Sequence, residues 1–317
     1  MVTASGTRIR WDDLPVHVRH RVEEIIGGGP VVEAQSQAGG FSPGTADRVR
    51  TSSGRRAFVK AVTPAINIES AAMARQELRI TASLPPEAPV PRVLSGFDDG
   101  DWVVLVLEDV EGVHPRTPWV QEEIDAAATT LRDLARALTP APLPGLPAAT
   151  DLLAADFAAW ELLAAAPPTD FDPWARQHLG ALHASAQRGL TALAGGETLA
   201  HADIRADNIL VRPDGRMIIV DWPWGCLAPA WLDSVLLAIN VIVHGGDPGP
   251  LLDGVDHDDA VGVISGYTAF FQHRSRQPPP PGLPTVRAFQ RFQGDALLPW
   301  LRSALTAATT PEPSPNE

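Results

Sequence analysis

LAHADIRADNILVRPDGRMIIVDW, residues 199–222, decides how this 317-residue chain folds. Two short apolar runs, Asn208 to Val211 and Met217 to Val220, flank the turn Pro213-Asp214-Gly215. Asp-Gly between apolar runs is a strong local signal for a β-hairpin. Asn208 enters the first strand and Asp221 ends the second, so ladder pairing sets the two side by side. Asp203 stands five residues before Asn208, and both can point into one cleft if the segment is a tight loop. A carboxylate ending a buried strand is costly unless it meets a partner.

The chain differs on the two sides of this stretch. Upstream, residues 13–26 read as a helix, with Asp12 or Asp13 as cap, Pro15 in the first turn and Gly27 to Gly29 as stop. A β-rich stretch from Val31 to Val62 follows, containing the turns QAGGFSPGTAD and SSGRR. Then come a helix over 69–84, an extended segment PEAPVPRVL and an apolar strand from Trp102 to Val110. From residue 122 onward the pattern is mostly helical, with spans predicted at 122–138, 151–165, 173–194, 231–243, 258–273 and 286–307. QPPPPGLP at 277–284 reads as a loop, and the tail PEPSPNE as disordered. The expectation is an α+β chain of two lobes: a β-rich N-lobe over 1–107, a connection at 108–112, a helical C-lobe over 113–307 and a tail over 308–317.

Composition narrows the partners. With 25 Lys and Arg against 38 Asp and Glu, the net charge is −13, which removes the basic footprint that nucleic acid or an anionic membrane surface requires. A cationic substrate is permitted. The one cysteine, Cys226, excludes an internal disulfide and a Cys-based zinc site. The N-terminus lacks the apolar segment of a signal peptide, and the longest apolar candidate, Val235 to Val243, is too short to span a bilayer, so the cytoplasm is the expected location.

The 199–222 stretch holds the parts that phosphoryl transfer from a metal-bound triphosphate needs. One carboxylate orients the attacking hydroxyl, and a neutral oxygen ligand and a second carboxylate hold Mg²⁺ against the phosphates. Taken singly, Asp203 fits a turn cap, Asn208 a left-handed turn position and Asp221 a helix cap. Their conjunction with an apolar hairpin argues for a site. The N-terminal half supplies the matching nucleotide parts. Lys60 ends an apolar strand, RRAFVKAV. On the next helix Met73, Ile80 and Leu84 form the apolar stripe, and Glu77 falls on that same face, where a glutamate needs a cation. Lys60 is its natural partner, with Glu69 a weaker candidate for the lysine. Gly39-Gly40-Phe41-Ser42-Pro43-Gly44 is the candidate phosphate turn, with Ser42 the donor because Pro43 has no N–H.

His201-x-Asp203-x4-Asn208, standing here as HADIRADN, and the later Val220-Asp221-Trp222 resemble the aminoglycoside phosphotransferase-like family, relatives of choline kinases and protein kinases. The resemblance spans about residues 30–240. It implies a protein-kinase-like fold with Asp203 catalytic, Asn208 and Asp221 as Mg²⁺ ligands, and His201 bracing the loop. It further implies nucleotide binding by Gly40, Ser42, Lys60 and Glu77, with the Glu108 carbonyl and the Val110 N–H holding the base. The donor would be ATP, or GTP, and the acceptor a hydroxyl of a small molecule, an aminoglycoside or another antibiotic. Alternatives are a metabolic or biosynthetic kinase of a sugar or choline-like alcohol and, in another class, a kinase-like nucleotide-binding protein without catalysis. A monomer or weak dimer is expected.

Several residues carry two readings. Arg205 either offsets charge on the moving phosphoryl group or pairs at the surface with Asp207. Asp233 reads as a helix cap or loop brace. Asp253, Asp256, Asp258 and Asp259 either attract amines or mark a helix N-terminus. Trp222, Trp224 and Trp231 line a pocket or fill core. Pro223 replaces the glycine of protein kinases and no Ala-Pro-Glu follows, which disfavours a protein substrate.

Overall fold

In the strand Arg56–Val62, Ala57, Val59 and Ala61 alternate with Phe58 and Lys60, so one face is apolar and the other carries the lysine. This strand sits centrally in an antiparallel sheet seen in a computed structural model that describes residues 8–37, 43–280 and 283–307. The strands are β1 (Val31–Ser36), β2 (Thr45–Thr51), β3 (Arg56–Val62), β4 (Val93–Asp98) and β5 (Val103–Leu107), in the order β1-β2-β3-β5-β4. Helix α1 (Val16–Ile26) buries Val18, Val22 and Ile26 against Val49, Ala57, Val59 and Ala61 of the apolar face. Helix α2 (Ile68–Ser83) is capped by Asn67, whose side chain accepts the Ser70 N–H at 2.8 Å.

The start of the chain departs from expectation. Trp11–Asp13 form a separate 3₁₀ turn, and neither Asp12 nor Asp13 caps α1, where Pro15 holds the cap position. The reason is Trp11, which is buried with the α1 cluster and donates its backbone N–H to the Asp47 carboxylate at 2.7 Å. Strand β4 was not foreseen beyond its first residues. It is an edge strand with a register shift between Val93 and Ser95, and at Gly96 a Cβ would lie 2.4 Å from Leu78 and 2.7 Å from the Val104 carbonyl oxygen.

The larger, helical part holds α3 (Gln121–Ala137), α4 (Ala149–Phe157), α5 (Ala159–Ala165), α6 (Pro173–Gln177) and α7 (Leu179–Ala192). After these come β6 (Thr198–Ala200), β7 (Ile209–Val211), β8 (Met217–Ile219), β9 (Cys226–Ala228), α8 (Leu232–Val243), α9 (Gly249–Leu252), α10 (His257–Arg274) and α11 (Val286–Ala307). Two spans predicted as single helices are each divided. The first breaks at Ala158, which lets Phe157 and Trp160 both bury completely, and the second at His178, whose Nδ1 meets the Trp174 carbonyl at 2.8 Å. The tail at 308–317 lies outside the described residues.

The hairpin forms with Ile209 opposite Ile219 and Val211 opposite Met217. The Val220 N–H donates to the Asn208 carbonyl at 3.0 Å, so Asn208 faces Val220 and Asp221 lies one residue beyond. Strands β6 and β9 pair Ala200 with Cys226, and residues 201–208 thus hang between two short two-stranded sheets.

Candidate active site

The loop after β6 is held from below by α8. Asp233, in the first turn of that helix, accepts the backbone N–H of His201 at 2.8 Å and of Ala202 at 3.0 Å. Asn240, two turns on, accepts the Trp119 indole N–H at 3.0 Å and the Ala206 N–H at 3.3 Å. His201 is fully buried, edge-on to Trp222 with ring centroids 4.7 Å apart. Its Nε2 lies 2.9 Å from the Val220 carbonyl, and its Nδ1 accepts the Asp203 N–H at 3.2 Å. One nitrogen must donate while the other accepts, which assigns the neutral tautomer with the proton on Nε2. His201 therefore ties the loop to the end of the hairpin.

Above this base lie the polar residues. The Asn208 side-chain amide donates to the Asp203 backbone carbonyl at 2.7 Å and lies 3.4 Å from Asp203 Oδ2, leaving its own oxygen available as a ligand. Arg205 forks onto Asp207 at 3.0 and 3.1 Å and also reaches Asp203 Oδ1 at 3.0 Å. The surface pairing with Asp207 exists, and the same guanidinium touches the Asp203 carboxylate. Burial pushes the Asp203 carboxyl above its ordinary range, and the neighbouring Arg205 only partly opposes this.

Lys60 joins the sheet to the helical part. Its ammonium donates to Glu77 Oε1 at 2.6 Å and directly to Asp221 Oδ1. Burial works against charge on Lys60, yet the two carboxylates win and hold it protonated. Burial pushes Glu77 up, with Lys60 an incomplete offset. For Asp221, burial is outweighed by the adjacent Lys60, and its carboxyl lies below the usual range. The Asp221 side chain remains 42% exposed, open to a ligand. Its backbone is left-handed, with φ of 72°.

Among the described residues no group of three or more His, Cys, Asp or Glu side chains is placed to hold a metal. Mg²⁺ does not need one. It commonly keeps several waters and takes one or two protein carboxylates plus phosphate oxygens. The free oxygen of Asn208 and the exposed carboxylate of Asp221, on adjoining ends of one hairpin, fit that demand.

At 108–112, the Glu108 N–H bonds to the Arg92 carbonyl at 2.8 Å. Among the described residues, no backbone hydrogen bond engages the Glu108 carbonyl or the Val110 N–H, so both are available to a base edge. Sequence reasoning missed Asp109 between them: its carboxylate binds Arg48 and Arg56, each at 2.6 Å, tying the connection to the sheet. Gly40 and Ser42 lie outside the described residues. At the end of that turn, a Cβ on Gly44 would lie 2.5 Å from the Ala61 carbonyl oxygen, so only glycine lets β2 start this close to β3.

Other candidates fall elsewhere. Arg188 reaches Asp256, Asp258 and Asp259 at 3.2, 3.1 and 3.3 Å, and Asp256 caps α10 by accepting the Asp259 N–H. Three members of the acidic cluster are thus occupied at a helix start. Trp222 is core, Trp231 packs against the helical core, and Trp224 is half-exposed. Tyr267, the one tyrosine of the chain, lies in the electrostatic reach of Asp203 and Asp233, and no motif pointed to it.

An antiparallel sheet carrying a lysine, joined to a helical part that carries an Asp-Asn-Asp set, defines a kinase-like phosphotransferase. The chain belongs to the phosphotransferase enzyme family, whose model matches residues 38–269. Solved structures share the fold. The GDP and kanamycin complex of APH(2")-IIia is 14% identical with a TM-score of 0.60, covering 93% of this chain and 100% of that one. The ternary complex of a thermostable mutant of aminoglycoside phosphotransferase APH(4)-Ia with ADP and hygromycin B is 10% identical with a TM-score of 0.59, covering 93% and 100%. Choline kinase LicA from Streptococcus pneumoniae is 14% identical with a TM-score of 0.58, covering 92% and 98%. No curated protein matches the sequence. The protein is a phosphotransferase. Among the described residues, no helix is long and apolar enough to cross a membrane.

Proposed function

We propose that this enzyme transfers the γ-phosphate of ATP or GTP to a hydroxyl of an aminoglycoside or another antibiotic, as a cytoplasmic monomer or weak dimer. The observation that carries the reading is Lys60, held at once by Glu77 on α2 and by Asp221 at the end of the hairpin. Solved complexes of the fold with kanamycin and hygromycin B support the choice of acceptor. A second reading, a kinase of a sugar or choline-like alcohol, is favoured by the equal likeness to a choline kinase and by the occupation of Asp256, Asp258 and Asp259 by Arg188.

In this mechanism Lys60 positions the inner phosphates, and the Glu108 carbonyl and Val110 N–H hold the base. Gly40 and Ser42 cover the phosphates. Asn208 and Asp221 would hold Mg²⁺, which neutralises charge on the phosphate oxygens when bound. Asp203 orients the acceptor hydroxyl and takes its proton as the acceptor oxygen bonds to the γ-phosphorus. The bond from that phosphorus to the bridging oxygen breaks, and the nucleoside diphosphate leaves. In this reading Arg205, in contact with Asp203 Oδ1 at 3.0 Å, offsets charge on the moving phosphoryl group and favours the ionised form of Asp203. The working units are the sheet lobe over 1–107, the connection at 108–112 and the helical lobe over 113–307.

The test is a screen of aminoglycosides, other antibiotics, amino sugars and choline-like alcohols with Mg–ATP and Mg–GTP, with mass detection of an added phosphoryl group. Asp203→Ala should lower turnover about 10²–10⁴-fold with nucleotide binding retained. Unchanged turnover in that variant would remove Asp203 from the chemistry.

A further inference from the structure

The connection at 108–112 is fastened on both sides. Toward the helical part, Val113 and Val211 exchange backbone hydrogen bonds at 3.0 and 2.7 Å, and a Cβ on Gly112 would lie 2.9 Å from the Val211 carbonyl oxygen. Toward the sheet, one carboxylate makes the attachment. Asp109 Oδ1 accepts from Arg48 Nε on β2 and Oδ2 accepts from Arg56 Nε on β3, each at 2.6 Å. The Asp109 side chain is only 3% exposed. Arg56, Phe58 and Lys60 alternate along β3, and Arg48 stands opposite Phe58. The clamp therefore belongs to the face that carries Lys60, opposite the one that α1 covers.

The two backbone groups assigned to the base flank Asp109 directly. The Glu108 carbonyl lies in the planar peptide unit before its Cα, and the Val110 N–H in the unit after it. Peptide units are rigid, so the angle between these two groups is set by the φ and ψ of Asp109 alone. Both carboxylate oxygens are held by guanidinium groups on different strands, and charge-assisted bonds of this kind are among the strong ones. A side chain gripped in this way cannot turn, and the backbone at its root is restrained with it.

We propose that Asp109 is a positioning residue for the nucleobase: gripped by Arg48 and Arg56, it holds the Glu108 carbonyl and the Val110 N–H at the mutual angle that a base edge requires. This rests on the nucleotide-binding reading given above. The rival explanation is that the clamp only fastens the connection to the sheet.

Calorimetric titration of the full chain separates the two. The probes are Mg–AMP-PNP, or Mg–GMP-PNP where guanine is preferred, and Mg–tripolyphosphate, which has the phosphate chain and no base and is read by its displacement of the analogue. Asp109→Asn keeps the size of the side chain but loses the charge that both arginines grip. It is expected to weaken the nucleotide analogue about 10-fold and to leave tripolyphosphate within about 2-fold. Arg56→Gln releases one arm of the clamp and carries the same test, with a loss of about 3-fold, should Asp109→Asn not fold. Arg56→Lys, which keeps a charge beside Oδ2, should recover part of that loss. Equal loss for both ligands, or loss for neither, would overturn the proposal and leave Asp109 as a fastening alone. Wild-type protein that binds the analogue no more tightly than tripolyphosphate would overturn base recognition by the connection, and this proposal with it. Wild-type protein that binds neither ligand would overturn the nucleotide reading itself.

Discussion

Ala202 and Asp221, two non-glycine residues, have left-handed backbones, with φ of 65° and 72°. Such conformations cost about 1–3 kcal/mol each and persist only where the surroundings enforce them. For Ala202 the enforcer is Asp233, which collects the N–H groups of His201 and Ala202. Removing that acceptor strands the buried His201 N–H and the partly buried Ala202 N–H, each costing up to about 1–3 kcal/mol. Asp233→Ala should therefore lower stability by about 2–4 kcal/mol, read from the urea midpoint, and Asp233→Asn, which keeps one acceptor oxygen, should lose less. Arg205 allows a prediction about pH. Its charge favours ionised Asp203, whose carboxyl burial has already raised. A base with a raised pKa is active above that pKa and is lost as pH falls through it. Arg205→Ala takes away the offset, so the acid limb of kcat/KM for Mg-nucleotide turnover should move to higher pH. A limb that stays in place would show that it does not report Asp203. At this scale the sequence was legible wherever residues are close along the chain or share a helical face, as Asp203 with Asn208 or Glu77 on the core side of α2. The contact of Lys60 with Asp221, 161 residues apart, and the anchoring of Asp109 by two strand arginines leave no local pattern to read.

The helices were legible because apolar residues recur along them, and their breaks were not. Ala158 and His178 interrupt patterns that continue past them, since the neighbouring side chains find better burial when the axis turns. Strands β6 and β9 span three residues each, too few for alternation to register. Close packing of α7 on α10 was also hidden, because its cause is the absence of side chains. A Cβ on Gly189 would lie 2.3 Å from the carbonyl carbon of Gly262, and one on Gly262 would lie 2.5 Å from the Gly189 nitrogen. Backbone cannot yield as a flexible side chain does, so either substitution forces the helices apart. Gly262→Ala should destabilise by about 1–3 kcal/mol or more, as over-packing does. Gly180, on α7 as well, has nothing within 4 Å of an added Cβ, so Gly180→Ala should instead stabilise by about 0.5–1 kcal/mol. Urea unfolding of the two variants gives opposite shifts in midpoint if the crossing is as described, and equal shifts would contradict it.

At the scale of the whole molecule, the sheet and the helical part meet through Lys60, with Glu77 on one side and Asp221 on the other. In the free protein Asp221 serves as a counterion to Lys60, which holds its carboxyl ionised. In the Mg–nucleotide complex proposed above, the same carboxylate becomes a metal ligand and Lys60 turns to phosphate. One side chain thus couples the junction of the two parts to the occupancy of the site. A ligand that binds only the folded state adds about 2.7 kcal/mol at a hundredfold excess over its Kd. For a chain of this size that corresponds to a rise in melting temperature of several degrees. Wild-type protein should show this rise with Mg–ATP or Mg–GTP, and a much smaller one when EDTA replaces Mg²⁺. Asp221→Ala should lose most of the Mg-dependent part, because Asn208 alone supplies a single neutral oxygen. It should also lower the ligand-free melting temperature, since Lys60 is left with one carboxylate partner where it had two. A full Mg-dependent rise in Asp221→Ala would place the metal elsewhere and separate the junction from the chemistry.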